Sequence, residues 1–467
     1  MSSLVSKANY LRITMKVEVE VISKEIIKPS NPTPHHRRHY ELSLLDQQSP
    51  KTYNPLVFFY ELDVDYHQHQ SNLDEISNKI KSSLSEALTL FYPLAGRVKN
   101  DRFVDCNDEG VHYSVARVNS PFHISDAIEK APPGELCKFL PFGLHPVSDF
   151  SLGVQLNIFE RGGIAVGLCI SHQLTDALSC IVFVKTWVAI SRRGKADDSD
   201  HQVIVNPEFN SASLFRPKDD PEYDGDANIS KMVVSKRFVF DASAIEAIRS
   251  KYDEGRTTSI VDDDDAIDHR KRPTRVEALS AFILSRLVAV TSDEHAPKSK
   301  KSYMVVHAVN ARPRFEPPLP DHSFGNLSRC GFGVFSGEEK GFEVVRKIRR
   351  GIRQVNMEYL KKVQQGSDSH FDAVVGFMRT AIMEGGQPTS FIFTSLCRFP
   401  LYDADFGWGK PAWVSSATLT YNNLVVFMDT KSGDGIETYI GLKEEHMAKL
   451  EADHDFLEAI SSVRVAN

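Results

Sequence analysis

The sequence lacks the features that mark several large classes of protein. Its six cysteines are scattered singly, and none belongs to a CxxC pair. A small disulfide-rich fold or a structural zinc site would group its cysteines, so neither is expected. We expect all six to be reduced, buried thiols. They are Cys106, Cys137, Cys169, Cys180, Cys330 and Cys397.

A long apolar run is also missing. The longest run near the middle spans Gly163 to Ile170, far short of the ~20 apolar residues that cross a bilayer. We therefore predict no transmembrane span and no membrane partner. The N-terminus carries Lys7 and Arg12 without a secretory apolar core, so residues 1–14 are interpreted as a disordered extension. Met15 is an alternative start, and the predicted location is cytoplasmic.

Excess positive charge is absent as well. The 467 residues carry a formal net charge of −7, which argues against a general nucleic-acid binder, since such binding depends on neutralising phosphates. Apolar residues make up 41% and charged residues 25% of the chain, as is usual for a globular protein. A local basic patch for one small anion remains compatible with this composition.

Several motifs that carry chemistry do not occur. Without GxGxxG or GxxxxGK[ST], phosphate-loop nucleotide chemistry is not expected. No GxSxG elbow is present, because Gly333–Gly337 has its serine one place late. The run Asp262–Asp265 is typical of a solvated loop, and the histidine-rich segments lack carboxylates at ligand spacing, so no metal site is predicted. Those histidines are His35, His36, His39, His67 and His69.

The length predicts two domains, at ~100–200 residues per domain. A shift towards Asp, Ser, Pro and Asn after about Arg192 indicates a long crossover between them. We also expect part of 370–400 to pack with the first domain. The predicted segments are the extension 1–14, an N-terminal domain 15–191, a crossover linker 192–232 and a C-terminal domain 233–467.

Hydrophobic periodicity predicts the main elements. Helices and strands alternate without a clean βαβ rhythm, so an α+β fold of two sandwiched sheets fits better than a doubly wound sheet. The strand Gly163–Ile170 is apolar throughout and should be buried on both faces. The other predicted strands are Lys16–Ser23, Gly153–Phe159, Val233–Asp241 and Tyr303–Asn310, and the helices are Asn72–Leu90, Asp176–Ile190, Val276–Thr291 and Glu343–Val363.

The segment Ser171-His172-Gln173-Leu174-Thr175-Asp176 combines a buried strand with a histidine at its end. An imidazole with an ordinary pKa near ~6.5 is mostly neutral at pH 7, so it can accept a proton. Taken alone, a pattern HxxxD is weak, because a histidine with a structural partner at a strand end has the same sequence. The segment makes His172 a candidate base.

A second segment, Asp405-Phe406-Gly407-Trp408-Gly409, indicates a tight loop. Two glycines around a rare tryptophan, with a proline close behind, suggest a close approach of the backbone. An aspartate at the start of such a turn caps backbone N–H groups or pairs with an arginine. A structural turn is therefore the favoured interpretation.

The two segments together, about 230 residues apart, resemble the BAHD family of plant acyl-CoA-dependent acyltransferases. The resemblance extends over essentially the whole chain from Met15. Within the family the chain is most similar to the branch that acetylates alkaloid alcohols. The resemblance to the family is supported by the segments Phe91–Arg97, Val104–Gly110, Lys236–Phe240, Ala308–Arg312 and Ser323–Asn326. The similarity to the branch shows in Val19–Pro29, Leu42–Gln47 and Pro317–Asp321.

The resemblance implies two chloramphenicol-acetyltransferase-like domains, each a mixed sheet with flanking helices, and a solvent channel between them. It implies that His172 is the general base, and that Asp176 pairs with Arg312 to fix the loop. Asn326 is a candidate oxyanion donor. The implied CoA contacts are Lys236, Arg237, Arg275, Ser280, Thr394 and Ser395, and Asp405, Gly407, Trp408 and Gly409 are implied to be structural.

The predicted function is transfer of an acetyl group from acetyl-CoA to a hydroxyl of a bulky alkaloid-like alcohol, by direct attack in a ternary complex. Two alternatives stay open: transfer of a malonyl, benzoyl or hydroxycinnamoyl group to a terpenoid or phenolic alcohol, and a non-catalytic ligand-binding relative. We expect acyl-CoA as co-substrate, no permanently bound cofactor and a monomer. Leu284 and Leu396 stand where this branch is expected to have tryptophan, which bears on the acceptor.

Overall fold

The structure is a computed structural model. It describes residues 16–62, 70–119, 123–145, 147–193, 203–219, 233–253, 272–292, 302–383 and 389–460. The predicted extension 1–14, the acidic run Asp262–Asp265, and His67 and His69 lie outside the described residues.

Most strands in the first half of the described chain belong to a six-stranded mixed sheet, which we call sheet 1. The strand Ile164–Ser171 lies inside it and all eight of its residues are buried, as its apolar sequence predicts. Its alternate residues face two different cores, with Val166 in one and Cys169 in the other. The strands, in spatial order, are Glu18–Ile27, Val111–Asn119, Leu152–Phe159, Ile164–Ser171, Tyr53–Tyr60 and Trp413–Ser415.

A second six-stranded mixed sheet, sheet 2, organises the C-terminal half of the described residues. Tyr303–Asn310 runs parallel to Thr389–Ser395 and antiparallel to Ser328–Phe335. The predicted α+β fold with two mixed sheets is thereby confirmed. The strands, in spatial order, are Ser328–Phe335, Tyr303–Asn310, Thr389–Ser395, Leu424–Asp429, Ile436–Lys443 and Val233–Phe240.

Helices cover both sheets, and a small three-stranded sheet lies beside sheet 1. The helices Gln70–Leu90 and Ala177–Arg192 pack together over the core of sheet 1, and Arg275–Thr291 packs over the core of sheet 2. The small sheet holds His39–Glu41, Phe103–Asp105 and Arg97–Lys99. The other helices are Leu44–Gln47, Ile124–Lys130, Pro133–Leu136, Ser211–Leu214, Ala242–Asp253, Phe342–Gln354, Met357–Gln364, Ser369–Met383, Glu444–Leu450 and His454–Ala459.

The C-terminal half contributes one strand to sheet 1. Trp413–Ser415 pairs antiparallel with Tyr53–Tyr60, and Phe406 and Val414 lie in the core of sheet 1. The strand that joins sheet 1 lies beyond the range 370–400, and within that range Thr389–Ser395 pairs in sheet 2 while Leu396 and Phe399 pack against the core of sheet 1. The two halves are interlocked through this strand.

Three local expectations differ from the structure. The first strand, Glu18–Ile27, is mostly exposed rather than half-buried, because it is an edge strand whose alternation is interrupted by a register shift between Val21 and Ser23. The helix expected over Glu343–Val363 is two helices, since Asn356 caps a new helix with its side chain 2.9 Å from Tyr359 N. Cys330 is exposed on a strand of sheet 2, so not all six thiols are buried.

No helix in the described part of the chain is long and apolar enough to span a membrane.

Candidate active site

His172 immediately follows the buried strand Ile164–Ser171, at the start of a loop that ends at Asp176. We call residues 171–176, which carry the candidate base His172, the catalytic loop. Its backbone is held against the beginning of the neighbouring strand, because His172 N donates to Thr52 O at 2.9 Å and Asn54 Nδ2 donates to Thr175 O at 3.2 Å. The loop is therefore anchored to sheet 1 by hydrogen bonds.

Burial controls the protonation of His172. It lowers the pKa of the imidazole from its ordinary value of 6.5, because the charged form loses water. A contact with its own backbone, the Asp176 carboxylate and the Asn326 side chain act in the opposite direction and are weaker. The ring is accordingly neutral at pH 7 and can accept a proton.

Asp176 performs two tasks at the end of the loop. As N-cap of the helix Ala177–Arg192, its Oδ1 accepts from Ser179 N at 2.9 Å. Arg312 Nη1 lies 2.7 Å from Asp176 Oδ2, and Nη2 lies 3.2 Å from Oδ1, which makes the ion pair bidentate. The carboxylate points to the arginine and the helix rather than acting as a partner for a nucleophile.

Arg312 comes from the other half of the chain. It follows the strand Tyr303–Asn310 of sheet 2 and is fully buried. Its Nε and Nη2 donate to Ser323 O at 3.0 and 2.8 Å, and Nη2 also donates to Ser179 Oγ at 3.0 Å. One buried network thus joins Asp176 and Arg312, and with them the two halves, and His172 lies on the same loop four residues before Asp176.

Asn326 is also brought to the catalytic loop. Its Nδ2 donates to His172 O at 2.9 Å and to Gln173 O at 3.1 Å. The preceding Gly325 has φ of +122°, and an added Cβ there would lie 2.9 Å from Ser211 Cβ, so the close approach requires glycine. The amide of Asn326 therefore donates to the protein, a geometry that does not favour the predicted role of oxyanion donor.

Asp46 was missed by the sequence analysis. It is fully buried, and its Oδ1 accepts from Asn326 N at 2.8 Å and from Asn326 Nδ2 at 2.9 Å. Its Oδ2 completes a capping box with Ser43. The spacing of Ser43 and Asp46 in the sequence matches the usual capping pattern, with Asp in place of Glu, and could have predicted the start of the helix. It could not have predicted the contact between Asp46 and Asn326.

The predicted CoA contacts have protein partners of their own. Arg237 Nη2 donates to Ile128 O at 2.8 Å, and its guanidinium lies 4.3 Å from the centre of the Trp413 ring. Arg275 donates to Gly433 O at 2.7 Å and to Asp429 Oδ1 at 3.0 Å. Both arginines therefore have partners within the protein.

The remaining predicted CoA contacts differ from one another in their partners and in their burial. Lys236 Nζ lies 2.8 Å from Glu451 Oε1. Ser280 is buried, whereas Thr394 and Ser395 are partly exposed near the end of their strand in sheet 2. Among the described residues, no hydrogen bond or ion pair links these four side chains to His172.

The glycine-rich loop 405–409 is held by its aspartate. Asp405 Oδ1 accepts from Gly407 N at 2.7 Å and from Gly409 N at 2.9 Å, while Oδ2 lies 2.6 Å from Arg192 Nη1. The Trp408 ring stacks on Phe406, with centroids 5.5 Å apart. Asp405 thus both caps backbone N–H groups and pairs with an arginine at the end of the helix Ala177–Arg192.

Within the described ranges, no group of three or more His, Cys, Asp or Glu side chains could hold a metal ion. His35, His36 and His39 lie in the exposed segment around the strand His39–Glu41.

Comparison with known proteins identifies the family. The family model described as Transferase family matches residues 17–457. Stemmadenine O-acetyltransferase of Catharanthus roseus is 34% identical over 452 residues, which cover 94% of this chain and 97% of that protein. Limonoid 1-O-acetyltransferase of Citrus sinensis is 32% identical over 462 residues, which cover 95% and 99%.

Solved structures agree with these matches. The crystal structure of vinorine synthase, an enzyme of Rauvolfia serpentina, has a TM-score of 0.76 at 32% identity and covers 95% of this chain and 99% of that one. F. graminearum TRI101 complexed with coenzyme A and deoxynivalenol has a TM-score of 0.66 at 16% identity, covering 91% and 99%, and shows the fold alone. A match over nearly the whole chain, with relatives above 30% identity, decides the assignment: the chain belongs to the BAHD branch of the transferase family and is an acyl-CoA-dependent O-acyltransferase.

Proposed function

We propose that the chain transfers an acetyl group from acetyl-CoA to a hydroxyl of a bulky specialised metabolite, an alkaloid-like alcohol. Relatives above 30% identity support the acetyl group and the hydroxyl, since their names describe O-acetyltransferases that act on stemmadenine and on limonoids. They support both alkaloid and terpenoid acceptors, and the alkaloid class is the one that the sequence segments favour.

His172 is the general base of the proposed reaction. It takes the proton of the acceptor hydroxyl as the oxygen attacks the thioester carbonyl. The tetrahedral intermediate then collapses, the C–S bond breaks, and the proton passes from His172 to the CoA thiolate. Such base catalysis contributes roughly 10²–10⁴-fold in rate.

One observation carries the proposal: a neutral imidazole lies on a loop that both halves of the protein hold in place. The pKa of His172 is lowered by burial, so the base is available at neutral pH. The Asp176–Arg312 pair fixes the loop from the side of sheet 2. Precise placement of a base matters because a displacement of about 1 Å can cost ~10²-fold in rate.

Several finer points belong to the proposal. Acyl-CoA and the alcohol enter a channel between the halves, and Thr394 and Ser395 contact CoA with their partly exposed hydroxyls. The chain acts as a cytoplasmic monomer without a permanently bound cofactor, as the composition and motifs of the sequence favour. Leu396 packs against the core of sheet 1 and Leu284 lies in the core of sheet 2, so Leu396 is the better placed of the two to influence an acceptor at the catalytic loop.

The test is a panel of acyl-CoA donors against alkaloid, terpenoid and phenolic alcohols, with products identified by mass spectrometry. His172→Ala should abolish transfer, with a loss of at least ~10²-fold in kcat and nearly unchanged CoA affinity. His446→Ala, a partly buried histidine in the helix Glu444–Leu450, is the matched control and should keep full activity.

The outcomes separate the alternatives. If His172→Ala keeps more than about a tenth of the wild-type kcat, His172 is not the base. Faster transfer from malonyl-, benzoyl- or hydroxycinnamoyl-CoA than from acetyl-CoA would favour the second acyl class. Binding of CoA without turnover on any alcohol would favour a non-catalytic relative.

A further inference from the structure

The two faces of sheet 2 have different neighbours. One face packs against helices, with Val305 in the core of sheet 2. On the opposite face Val426 lies in the core of sheet 1, and Tyr439 Oη lies 2.7 Å from Ser415 Oγ of sheet 1. The N-terminal half therefore covers this second face over the fourth and fifth strands of sheet 2, to which Val426 and Tyr439 belong.

The same face is more open over the first three strands of sheet 2. Its side chains come from alternate residues, because successive residues of a strand point to opposite faces. Ala308, Asn310 and Cys330 are exposed there. None of the side chains at these described positions is charged. They are Met304, Val306, Ala308, Asn310, Ser328, Cys330, Phe332, Val334, Ser390, Ile392 and Thr394.

The thiol of Cys330 lies in a recess of this face. The side chain is exposed to solvent, yet burial raises the pKa of the thiol above its ordinary value of 9.0. Such a shift requires protein on several sides of the sulfur, because the protein displaces the water that stabilises a thiolate. Ala308 pairs directly with Cys330, so two small side chains form the floor of the recess.

The recess adjoins the catalytic loop. The strand that carries Cys330 begins two residues after Asn326, whose Nδ2 donates to His172 O at 2.9 Å. At the same end of the neighbouring strand, Asn310 Oδ1 accepts from Arg312 Nη1 at 3.3 Å. Cys330 lies two residues further from this end, ~7 Å along the strand. A ring system whose hydroxyl reaches the catalytic loop is long enough to extend over the recess.

We propose that Ala308 and Cys330 are specificity-determining residues, whose small side chains leave room on sheet 2 for the uncharged ring skeleton of a bulky acceptor alcohol. The inference rests on the proposed function, in which the hydroxyl of such an alcohol reacts at His172. The parallel register of the third strand places Thr394 beside Ala308, on the side opposite to Cys330. The acceptor therefore lies next to the CoA that is proposed to contact Thr394.

The chemistry of the recess fits a hydrocarbon skeleton better than it fits CoA. Phosphate groups bind best to cations, and the open face has no cation at the positions named above. Val306, Phe332 and Ile392, which lie next to the recess, are half-buried apolar side chains, and a ring system that covers them removes their surface from water. The charged amine of an alkaloid is directed away from this wall, because a buried charge without a partner is unfavourable.

The first test fills the recess with a large side chain. Cys330→Phe should lower kcat/KM at least about tenfold for the alcohol of the panel that reacts fastest, because the ring occupies the place of the acceptor. The KM for acetyl-CoA should stay within about twofold. Cys330→Ala leaves the recess open and should keep the wild-type values, which excludes a chemical role of the thiol.

Val334→Phe is the matched control. Val334 lies on the same face of the same strand and is 43% exposed, four residues further from the catalytic loop. A phenylalanine there should leave kcat/KM for the alcohol unchanged. Equal losses in the two phenylalanine variants, or an unchanged kcat/KM in Cys330→Phe, would overturn the inference.

A measurement on the wild-type protein does not depend on the folding of a variant. Labelling of Cys330 by N-ethylmaleimide is followed by peptide mass spectrometry, with and without each alcohol of the panel. Cys137, which packs against a different core on sheet 1, is the internal reference. Slower labelling of Cys330 alone supports the inference. Unchanged labelling, no labelling of Cys330, or equal slowing at both cysteines overturns it.

Failure of the proposed function has a different signature. In that case the wild-type protein acetylates no alcohol of the panel, or His172→Ala retains more than about a tenth of the wild-type kcat. Protection of Cys330 by an alcohol does not require turnover, so it tests the recess in either case.

Discussion

The pH range in which His172, the proposed base, can accept a proton depends on its burial. In water an imidazole is half protonated near pH ~6.5 and loses its capacity to accept a proton below that value. In the protein the desolvation of the charged form outweighs the opposing effects of the backbone, Asp176 and Asn326, so the pKa is lowered. The enzyme should therefore remain active under mildly acidic conditions.

The first prediction is the position of the acid limb of the pH–rate profile. Because a lowered pKa keeps the ring neutral to lower pH, kcat/KM for acetyl-CoA should fall with a midpoint below 6.5, the ordinary value for histidine. The measurement is kcat/KM from pH 5 to 8 at constant ionic strength, with a stability check at each pH. A midpoint at or above 6.5 would contradict a buried, neutral base.

At the scale of secondary-structure elements, the start of one helix couples the catalytic loop to sheet 2. Asp176 caps the helix Ala177–Arg192 and pairs with the fully buried Arg312. Breaking a buried ion pair on one side leaves an uncompensated charge, which costs roughly 3–5 kcal/mol. The pair should therefore be more important for structure than for the chemical step.

The second prediction is that Asp176→Asn and Arg312→Ala lose activity together with stability. Each variant should lower the free energy of unfolding by about 3–5 kcal/mol, and the double variant should lose less than the sum, because the interaction can be removed only once. Denaturant unfolding and a double-mutant cycle check this. Additive losses would show that the two side chains are not energetically coupled.

The third prediction concerns the loop 405–409, whose Asp405 pairs with Arg192 at the end of the same helix. Gly409 has φ of +109° and no atom within 4 Å of an added Cβ, so Gly409→Ala should cost about 1–3 kcal/mol of stability through backbone strain alone. Gly134, in the helix Pro133–Leu136, also has no atom within 4 Å of an added Cβ, but its φ is not in the left-handed region. Gly134→Ala should therefore not lower the free energy of unfolding. An equal loss of stability at both sites would contradict backbone strain at Gly409.

At the scale of the whole molecule, the two halves are joined at several points. Trp413–Ser415 adds a C-terminal strand to sheet 1, and Arg237 of sheet 2 donates to Ile128 O in the N-terminal half. Asn326 and Arg312 reach the loop from the C-terminal half. A site assembled by both halves suits a reaction in which two substrates meet at one base.

The fourth prediction is sequential kinetics. Both substrates must be bound when the hydroxyl attacks the thioester, so initial-rate plots should intersect, and added chelator should have no effect. A covalent acyl-enzyme would give parallel lines instead. Of the cysteines nearest His172 in sequence, burial raises the pKa of Cys180 to about 12 and that of Cys169 well above its ordinary value, which disfavours a thiolate. A stable mass increase of one acetyl group on either would contradict direct transfer.

Much of the fold could be predicted from local sequence. The buried strand before His172 is a continuous apolar run, and the helix after Asp176 begins with a capping residue and continues as an apolar stripe. These signals depend on neighbours in the chain, which is why they can be read without coordinates. The edge strand Glu18–Ile27 and the break at Asn356 were predicted less well, because exposure and a local cap override periodicity.

The sequence by itself determined which residues can carry the chemistry: a histidine at the end of a buried strand, and motifs that point to an acyl-CoA-dependent acyltransferase. Only the tertiary structure decided how that histidine is held. Asp46 and Asn326 are 280 positions apart, and Asp176 and Arg312 are 136 apart, so neither pair leaves a periodic or local signal. Their hydrogen bonds form because folding removes these polar groups from water, and each buried donor or acceptor then needs a partner brought by another part of the chain.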